Sequence, residues 1–464
     1  MTRAKALLIL LALWSAIYLP GLGSTELRGE EGRRILPAVT MLESGDWVVP
    51  YVGGKPFLRK PPLMNWVIAL SFKLTGIRNE WAARLPSALA VLALGVAIVI
   101  ASGLKPGTAL AAALMSMTTF GLLAKARFAG GEIEGVYAPL FGIAIVTWLG
   151  AWNRGASPWR LWLVPAVFLG LAALAKGPLH LLFFYGIVVA VVASSNRWRA
   201  LVHPAHGAAF ALMVAIFAAW AVPYFRTEAA SKASKVWSDQ MKNRVTENRF
   251  EWKSYASNLP RGVGDLLPWV LLVPVLARRG RSGETGERIP EDGAGRRPYQ
   301  AVLVASVVMF VALLLIPGIL PRYVLPLAIP LALVLAVAIE PTRFAQWPLR
   351  LGCALGVLSI GYGAIAVPLI NRRDDLRPLA AQIDAALAPG TALTIYDPGY
   401  QAWIFYLRVR YDYAPFLENV PASPQAVLAR GKERGKFAEK RPDLAVTDTF
   451  RDKNGAEFLL LKPR

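Results

Sequence analysis

Residues 26–66, ELRGEEGRRILPAVTMLESGDWVVPYVGGKPFLRKPPLMNW, decide how this chain is read. They place Glu30, Glu31, Arg33, Arg34, Asp46, Lys55, Arg59 and Lys60 between a first apolar segment, Ala4 to Leu19, and a long series of further ones. Short turns suffice to join membrane helices, so a charged excursion of about 40 residues is either functional or disordered. Trp47, Val48, Val49, Tyr51, Phe57, Leu58 and Trp66 give it apolar surface with which to dock onto a bilayer or a helix bundle, which argues against disorder.

Composition sets the class. The 464 residues are 55% hydrophobic and 17% charged, against roughly 25% charged in a soluble domain. This is a polytopic membrane protein. The net charge of +21 points to anionic partners: lipid headgroups, a phosphate-bearing lipid substrate or nucleic acid. Nucleic acid is set aside, because the basic residues are scattered between apolar spans and not gathered on one soluble module. Cys353 is the one cysteine, so no intrachain disulfide forms, and His180, His203 and His206 have no metal-ligand spacing.

Working outward, Arg3 and Lys5 precede a run read as a first span and not a cleaved signal, with Trp14 and Tyr18 at an interfacial belt. Ile35, Leu36, Val39 and Leu42 share one face of a helix with Pro37 near its start. Residues 61–74 put Leu63, Trp66, Val67, Leu70 and Leu74 on one face. At roughly 21 Å this helix is too short to cross a core of about 30 Å, and it is expected to lie in the interface. Beyond Arg84 apolar spans follow at about 85–103, 107–124, 135–151, 161–175, 178–194, 207–225, 263–277, 299–316, 319–339 and 350–370. With the first they make about eleven. The expected division is a transmembrane domain, 1–370, with long outer loops 21–83 and 226–262, and a soluble extracytoplasmic α/β domain, 371–464. In the latter Asp374 and Asp375 cap a helix. Strands at 391–396, 410–413, 444–447 and 457–461 alternate with helices at 400–407 and 424–430.

Positive-inside asymmetry puts the N-terminus in the cytoplasm of a multi-pass inner-membrane protein. An odd number of spans then gathers the opening stretch, Lys125 to Glu134, Lys176, the loop with Arg244, Arg249 and Lys253, the Pro321-Arg322-Tyr323 turn and the C-terminal tail on one side. Charges at a membrane boundary are costly, so their clustering there needs a functional reason.

The run from Glu30 through Ser44-Gly45-Asp46-Trp47, Val48-Val49-Pro50, Gly54 and Lys60-Pro61-Pro62 to Asn79–Ser87 resembles the membrane glycosyltransferases related to protein O-mannosyltransferases and to the lipid A aminoarabinose transferase, which have the GT-C fold. Weaker likeness continues through Glu132, Ala175–Pro178, Leu266–Trp269 and Leu320–Pro326. The resemblance implies transfer of a sugar from a polyprenyl phosphate donor to a lipid, protein or glycan acceptor at the outer face. It implies Glu30 as catalytic base, Glu132 as a second acidic residue, and Arg33, Lys60, Arg249 and Tyr323 on the donor phosphate. Where the aminoarabinose transferase has an acidic residue before its Lys-Pro motif, this chain has Arg59. The metal is therefore left unknown and no cofactor is assigned; a divalent cation between Glu30 and Glu132 is the alternative to a simple acidic pair. The chemistry agrees with this assignment, since transfer from a phosphate ester needs a base for the acceptor proton and cations for the departing phosphate. A flippase for polyprenyl-linked sugars would use the same cations without a base. A lipid-linked glycan ligase or polymerase is the other alternative.

Overall fold

The structure is a computed structural model and describes residues 1–57, 60–230, 252–274, 297–316, 321–369 and 376–464. The chain divides into two compact units. One comprises Met1–Leu22, Leu58–Met64 and Arg84–Gly363; the other comprises Gly23–Phe57, Asn65–Ala83 and Ala364–Arg464. Most of the opening stretch groups with the C-terminal residues.

The first unit is helical. Among the described residues of the chain, six helices are long and apolar enough to cross a membrane: Glu80–Ala101, Glu134–Asn153, Pro158–Lys176, Pro204–Phe225, Arg322–Ile339 and Trp347–Leu369. The expected span 107–124 is broken. Helix Pro106–Thr118 is followed at 60° by Phe120–Phe128, whose last turn, Ala124–Phe128, is a π-helix. The Ser116, Thr118 and Thr119 hydroxyls donate to the carbonyls of Ala112, Leu114 and Met115, which bends helices. The Phe120 N–H leaves the helix and donates to Leu267 O at 2.7 Å. Contacts between helices use small residues and polar groups. A Cβ added at Gly150 would sit 1.8 Å from Ala101 O, so only glycine permits that approach. Tyr18 OH donates to Met117 O at 2.7 Å, and Trp14 Nε1 to Ala88 O at 2.9 Å.

The second unit is built on a five-stranded sheet. Its strands are β3 (Leu393–Tyr396), β4 (Tyr411–Ala414), β5 (Ala426–Arg430), β6 (Leu444–Arg451) and β7 (Glu457–Pro463), and their order is β4-β3-β5-β7-β6. β3 runs parallel to β4 and β5, whereas β7 is antiparallel to both its neighbours. The expected helix at 424–430 is β5. Its Ala-Val-Leu-Ala run is buried throughout, and a strand covered on both faces reads as a continuous apolar run, which periodicity alone does not separate from a helix. The helix expected at 400–407 is a five-residue 3-10 turn, Ala402–Tyr406.

Segments of the opening stretch pack within this unit. A two-stranded hairpin, β1 (Tyr51–Val52) and β2 (Lys55–Pro56), turns through Gly53 and Gly54, at φ +58° and +75°. A Cβ on Gly53 would come 2.9 Å from Gly399 O, and one on Gly54 2.9 Å from Tyr413 Cβ. The hairpin therefore lies against the chain leaving the carboxyl ends of β3 and β4. Asp374 and Asp375 lie outside the described residues; helix Arg377–Ala385 has its first amides on Glu26 Oε1, from Leu376 N at 2.5 Å and Arg377 N at 3.4 Å. In helix Leu63–Thr75 the expected apolar face is open at its C-terminal end and closed at Leu63. Met64, Asn65, Ile68, Ala69 and Phe72 are buried, while Leu70 and Leu74 are exposed. Where lipid is the solvent, an apolar stripe gains nothing by turning inward, and Asn65, off that stripe as expected, is buried with its Nδ2 donating to Arg34 O at 2.8 Å.

Candidate active site

In the second unit the chain turns at Arg28–Glu31 into helix Gly32–Ser44. Glu31 is fully buried and its Oε2 accepts from Arg28 N at 2.8 Å, closing the turn. Glu30 is left at the mouth of this turn, its side chain 36% exposed. Arg33 Nη1 stands 3.1 Å from Glu30 Oε1, and Arg34 Nη2 3.9 Å from Oε2. The two guanidinia are held by aromatic faces, Arg33 5.0 Å from the Tyr400 ring centroid and Arg34 5.0 Å from that of Phe57, an arrangement that fixes a cation without consuming all its donors. Tyr400 OH donates to Gly29 O at 3.0 Å; burial pushes the Tyr400 hydroxyl pKa up, against a smaller opposing effect of Arg33. Pro37 lies inside the helix, not at its start.

The first unit holds a second set. Lys125, in the π-turn, places Nζ 2.8 Å from Glu132 Oε2, with the Glu132 side chain only 6% exposed. Glu134 opens helix Glu134–Asn153, where the helix dipole favours an acid. Its Oε1 lies 3.0 Å from Lys176 Nζ and 3.4 Å from Arg322 Nε. Lys176 closes helix Pro158–Lys176, where the dipole favours a cation. Its ammonium lies 4.3 Å from the Tyr323 ring centroid and 5.1 Å from that of Tyr137.

Of the residues expected at the site, Glu30 and Arg33 are thus an ion pair on one helical turn, Glu132 is paired with Lys125, and Tyr323 meets Lys176. Lys60 belongs to the same unit as Glu132 and Tyr323, half-buried before the buried Pro61 and Pro62. Arg249 lies outside the described residues. Glu134, Lys176 and Arg322 are among the charges that the sequence gathers on one side of the membrane. Their junction across long sequence separations left only the same-side topology as its signal. The histidines serve structure: His180 between Gly177 O and Leu169 O, His203 capping Ala205 N, His206 between Leu201 O and Tyr185 OH. Among the described residues no three His, Cys, Asp or Glu side chains gather as metal ligands.

The model of the dolichyl-phosphate-mannose-protein mannosyltransferase family matches residues 59–221. Over 491 aligned residues the chain is 26% identical to the undecaprenyl phosphate-alpha-4-amino-4-deoxy-L-arabinose arabinosyl transferase of Pseudomonas aeruginosa UCBPP-PA14, covering 99% of this chain and 82% of that one. Its fold is that of ArnT from Cupriavidus metallidurans. The crystal structure of that protein bound to undecaprenyl phosphate superposes with TM-score 0.71 at 18% identity, over 99% of this chain and 98% of that chain. The apo form gives 0.65 at 16%, over 99% and 97%. In sequence the chain is similar to the protein mannosyltransferases and the aminoarabinose transferases, and in fold it is similar to a membrane glycosyltransferase of GT-C type.

Proposed function

We propose that this enzyme transfers a sugar from a polyprenyl phosphate to an acceptor at the outer face of the cytoplasmic membrane, by single displacement with inversion at the anomeric carbon. The observation that carries the reading is the full-length likeness to an arabinosyl transferase whose donor is an undecaprenyl phosphate sugar. Glu30 takes the proton of the acceptor hydroxyl as its oxygen bonds to the anomeric carbon. The bond from that carbon to the phosphate oxygen breaks, and its electron pair leaves with the polyprenyl phosphate. Arg33, Lys60, Arg249 and Tyr323 hold that phosphate, and Glu132 is the second acid. The exposure of Glu30, beside a guanidinium kept in place by Tyr400, supports its assignment. Glu132 and Glu134 are each paired with a lysine.

The reading has about eleven spans. The six long helices, the bent pair, Arg3–Tyr18, Leu179–Ser194 and Pro298–Leu313 supply ten, and the segment at 263–277, part of it outside the described residues, is the eleventh. The Glu30 turn, Glu132 and the C-terminal sheet then face the extracytoplasmic side.

Glu30→Gln tests the base. Membranes carrying the variant are expected to release labelled sugar from a polyprenyl phosphate donor about 10²- to 10⁴-fold more slowly, with an unchanged melting temperature. Full transfer activity would remove Glu30 from the mechanism. Native mass spectrometry of wild type and Lys60→Ala tests the carrier site: a retained polyprenyl phosphate, lost in the variant, is the expected result.

A further inference from the structure

The Glu134 junction lies at one end of the first unit, and a cavity lies at the other. Helices Glu134–Asn153 and Arg322–Ile339 both start at that junction. At 1.5 Å per residue they carry the chain roughly 27 to 30 Å from it, about the thickness of a bilayer core. Ile339 then lines a cavity of about 580 Å³, which helices Arg3–Tyr18, Pro106–Thr118 and Trp347–Gly361 also line. That is within the range of roughly 300 to 1,000 Å³ of small-molecule sites, and none of its side chains takes part in the transfer chemistry above.

The floor and the mouth of this cavity differ in kind. The floor is apolar, made of Ile9, Leu110, Leu114, Ile339 and Leu349. Leu114 lies eight residues beyond Pro106, roughly 12 Å into the membrane-spanning part of the unit. The mouth is charged. Lys105 Nζ stands 3.1 Å from Glu340 Oε1, with the side chains 82% and 40% exposed, and a pair so open is held weakly. Arg154, which follows helix Glu134–Asn153, donates from Nη2 to Ala101 O at 2.9 Å, and a Cβ on Gly103 would come 3.3 Å from its Nη1. Its guanidinium therefore lies against the segment that leads to Lys105. A Cβ on Gly107 would come 4.0 Å from Met1 Cε, so the start of helix Arg3–Tyr18 meets the same segment. Burial lowers the Arg154 pKa, and the fields of Arg160 and Arg3 lower it further. Residues 1–20, 101–115, 150–160 and 336–350 together hold seven lysines and arginines against one acid, Glu340. Like charges gathered in this way repel one another, and an anion among them relieves the repulsion.

A soluble anion would leave the floor unused, and a neutral lipid would leave the mouth unused. Phosphatidylcholine would bring a cation of its own among the arginines. A lipid with a net negative headgroup uses both parts, as basic pockets between membrane helices do elsewhere. We infer that this cavity binds one anionic phospholipid, its phosphate at Arg3 and Lys105 and an acyl chain along Leu110 and Leu114. That the lipid belongs to the cytoplasmic leaflet rests on the topology proposed above; the binding itself does not.

The test is native mass spectrometry of the full-length protein, delipidated in maltoside detergent and titrated with phosphatidylglycerol or with phosphatidylcholine of the same chains. Wild type is expected to take one phosphatidylglycerol about tenfold or more tightly than phosphatidylcholine. Arg3→Gln with Lys105→Gln is expected to abolish that preference. Ala111→Phe fills the floor and leaves every charge in place, and is expected to weaken the tight lipid about tenfold or more. Glycerol 3-phosphate, which has the phosphate without the chains, is expected not to compete. Equal affinity of wild type for the two lipids would overturn the inference. So would wild-type binding by Ala111→Phe, which marks a contact of surface cations with bulk headgroups, or full competition by glycerol 3-phosphate, which marks an anion site with no lipid. Because no sugar donor is present, a failure of the Glu30 assignment leaves this result standing, and the reverse also holds.

Discussion

The chain carries two charged constellations of similar composition in opposite environments. Around Glu134 the nearer pair is buried: the Glu134 and Lys176 side chains are each 6% exposed at 3.0 Å separation, with Arg322 at 30%. Around Glu30 the nearer pair is open, with Arg33 and Glu30 at 35% and 36% and Arg34 at 6%. A buried pair is locked by the cost of separating it, whereas an open pair is held weakly and leaves its carboxylate accessible to a hydroxyl. The contrast singles out Glu30 as a carboxylate open to a hydroxyl. Both sites offer an acid with two cations, and the exposure of the acid and its nearer cation distinguishes them.

The largest effect expected of that contrast is on the buried side. Lys176→Ala leaves the buried Glu134 to the more exposed Arg322 at 3.4 Å and should lower unfolding free energy by about 3 kcal/mol. Lys176→Met with Glu134→Gln removes both charges and should recover most of it. Thermal unfolding in one detergent compares the three, and a single variant as stable as wild type would show that the pair is not locked.

The next effect falls on the hairpin in the same unit as Glu30. Gly54→Ala forces a side chain into a left-handed conformation, at about 1–2 kcal/mol, and into contact with Tyr413. A loss of about 2 kcal/mol is expected, with transfer activity falling if the hairpin steadies Phe57 beneath Arg34. An unchanged melting temperature would mean that the hairpin does not press on the sheet unit.

The membrane class and most spans are legible in the sequence because hydropathy over some 20 residues is a strong signal. The C-terminal strands at β3, β4, β6 and β7 are also legible, where polar turns bound short apolar runs. What fails is whatever depends on partners distant in sequence. Residues 426–430 become a strand because β3 and β7 flank them. The 106–128 segment bends where a carbonyl of Leu267 takes the Phe120 amide. Glu30, Arg33 and Glu132 are named from a family resemblance, and their pairings add geometry that spacing did not contain. The Glu134–Lys176–Arg322 junction joins three helix ends, so no single segment reveals it.

A smaller effect tests the open side directly. Glu30→Gln removes a pair that is more than a third exposed, so its stability change should stay within roughly 0–1 kcal/mol while transfer collapses. A loss comparable to that of Lys176→Ala would place Glu30 among the structural acids and erase the contrast.

The smallest effect is a pH dependence at an exposed pair in the sheet unit. Arg441 donates to Asp443 through Nε at 2.9 Å and Nη2 at 2.7 Å, and this bonding lowers the Asp443 pKa. A carboxyl whose folded pKa is depressed stabilises the fold above its unfolded value, about 3.9. The contribution is lost as pH falls through the lower folded value. The melting temperature of wild type should therefore exceed that of Asp443→Asn by a small, constant margin from pH 8 down to about pH 5, and the two should converge as the medium is acidified below about pH 4. A margin that persists at the lowest pH would mean that Asp443 acts by shape and not by charge. A margin larger than that at Glu30 would show that bidentate geometry, and not burial alone, sets the strength of an ion pair here.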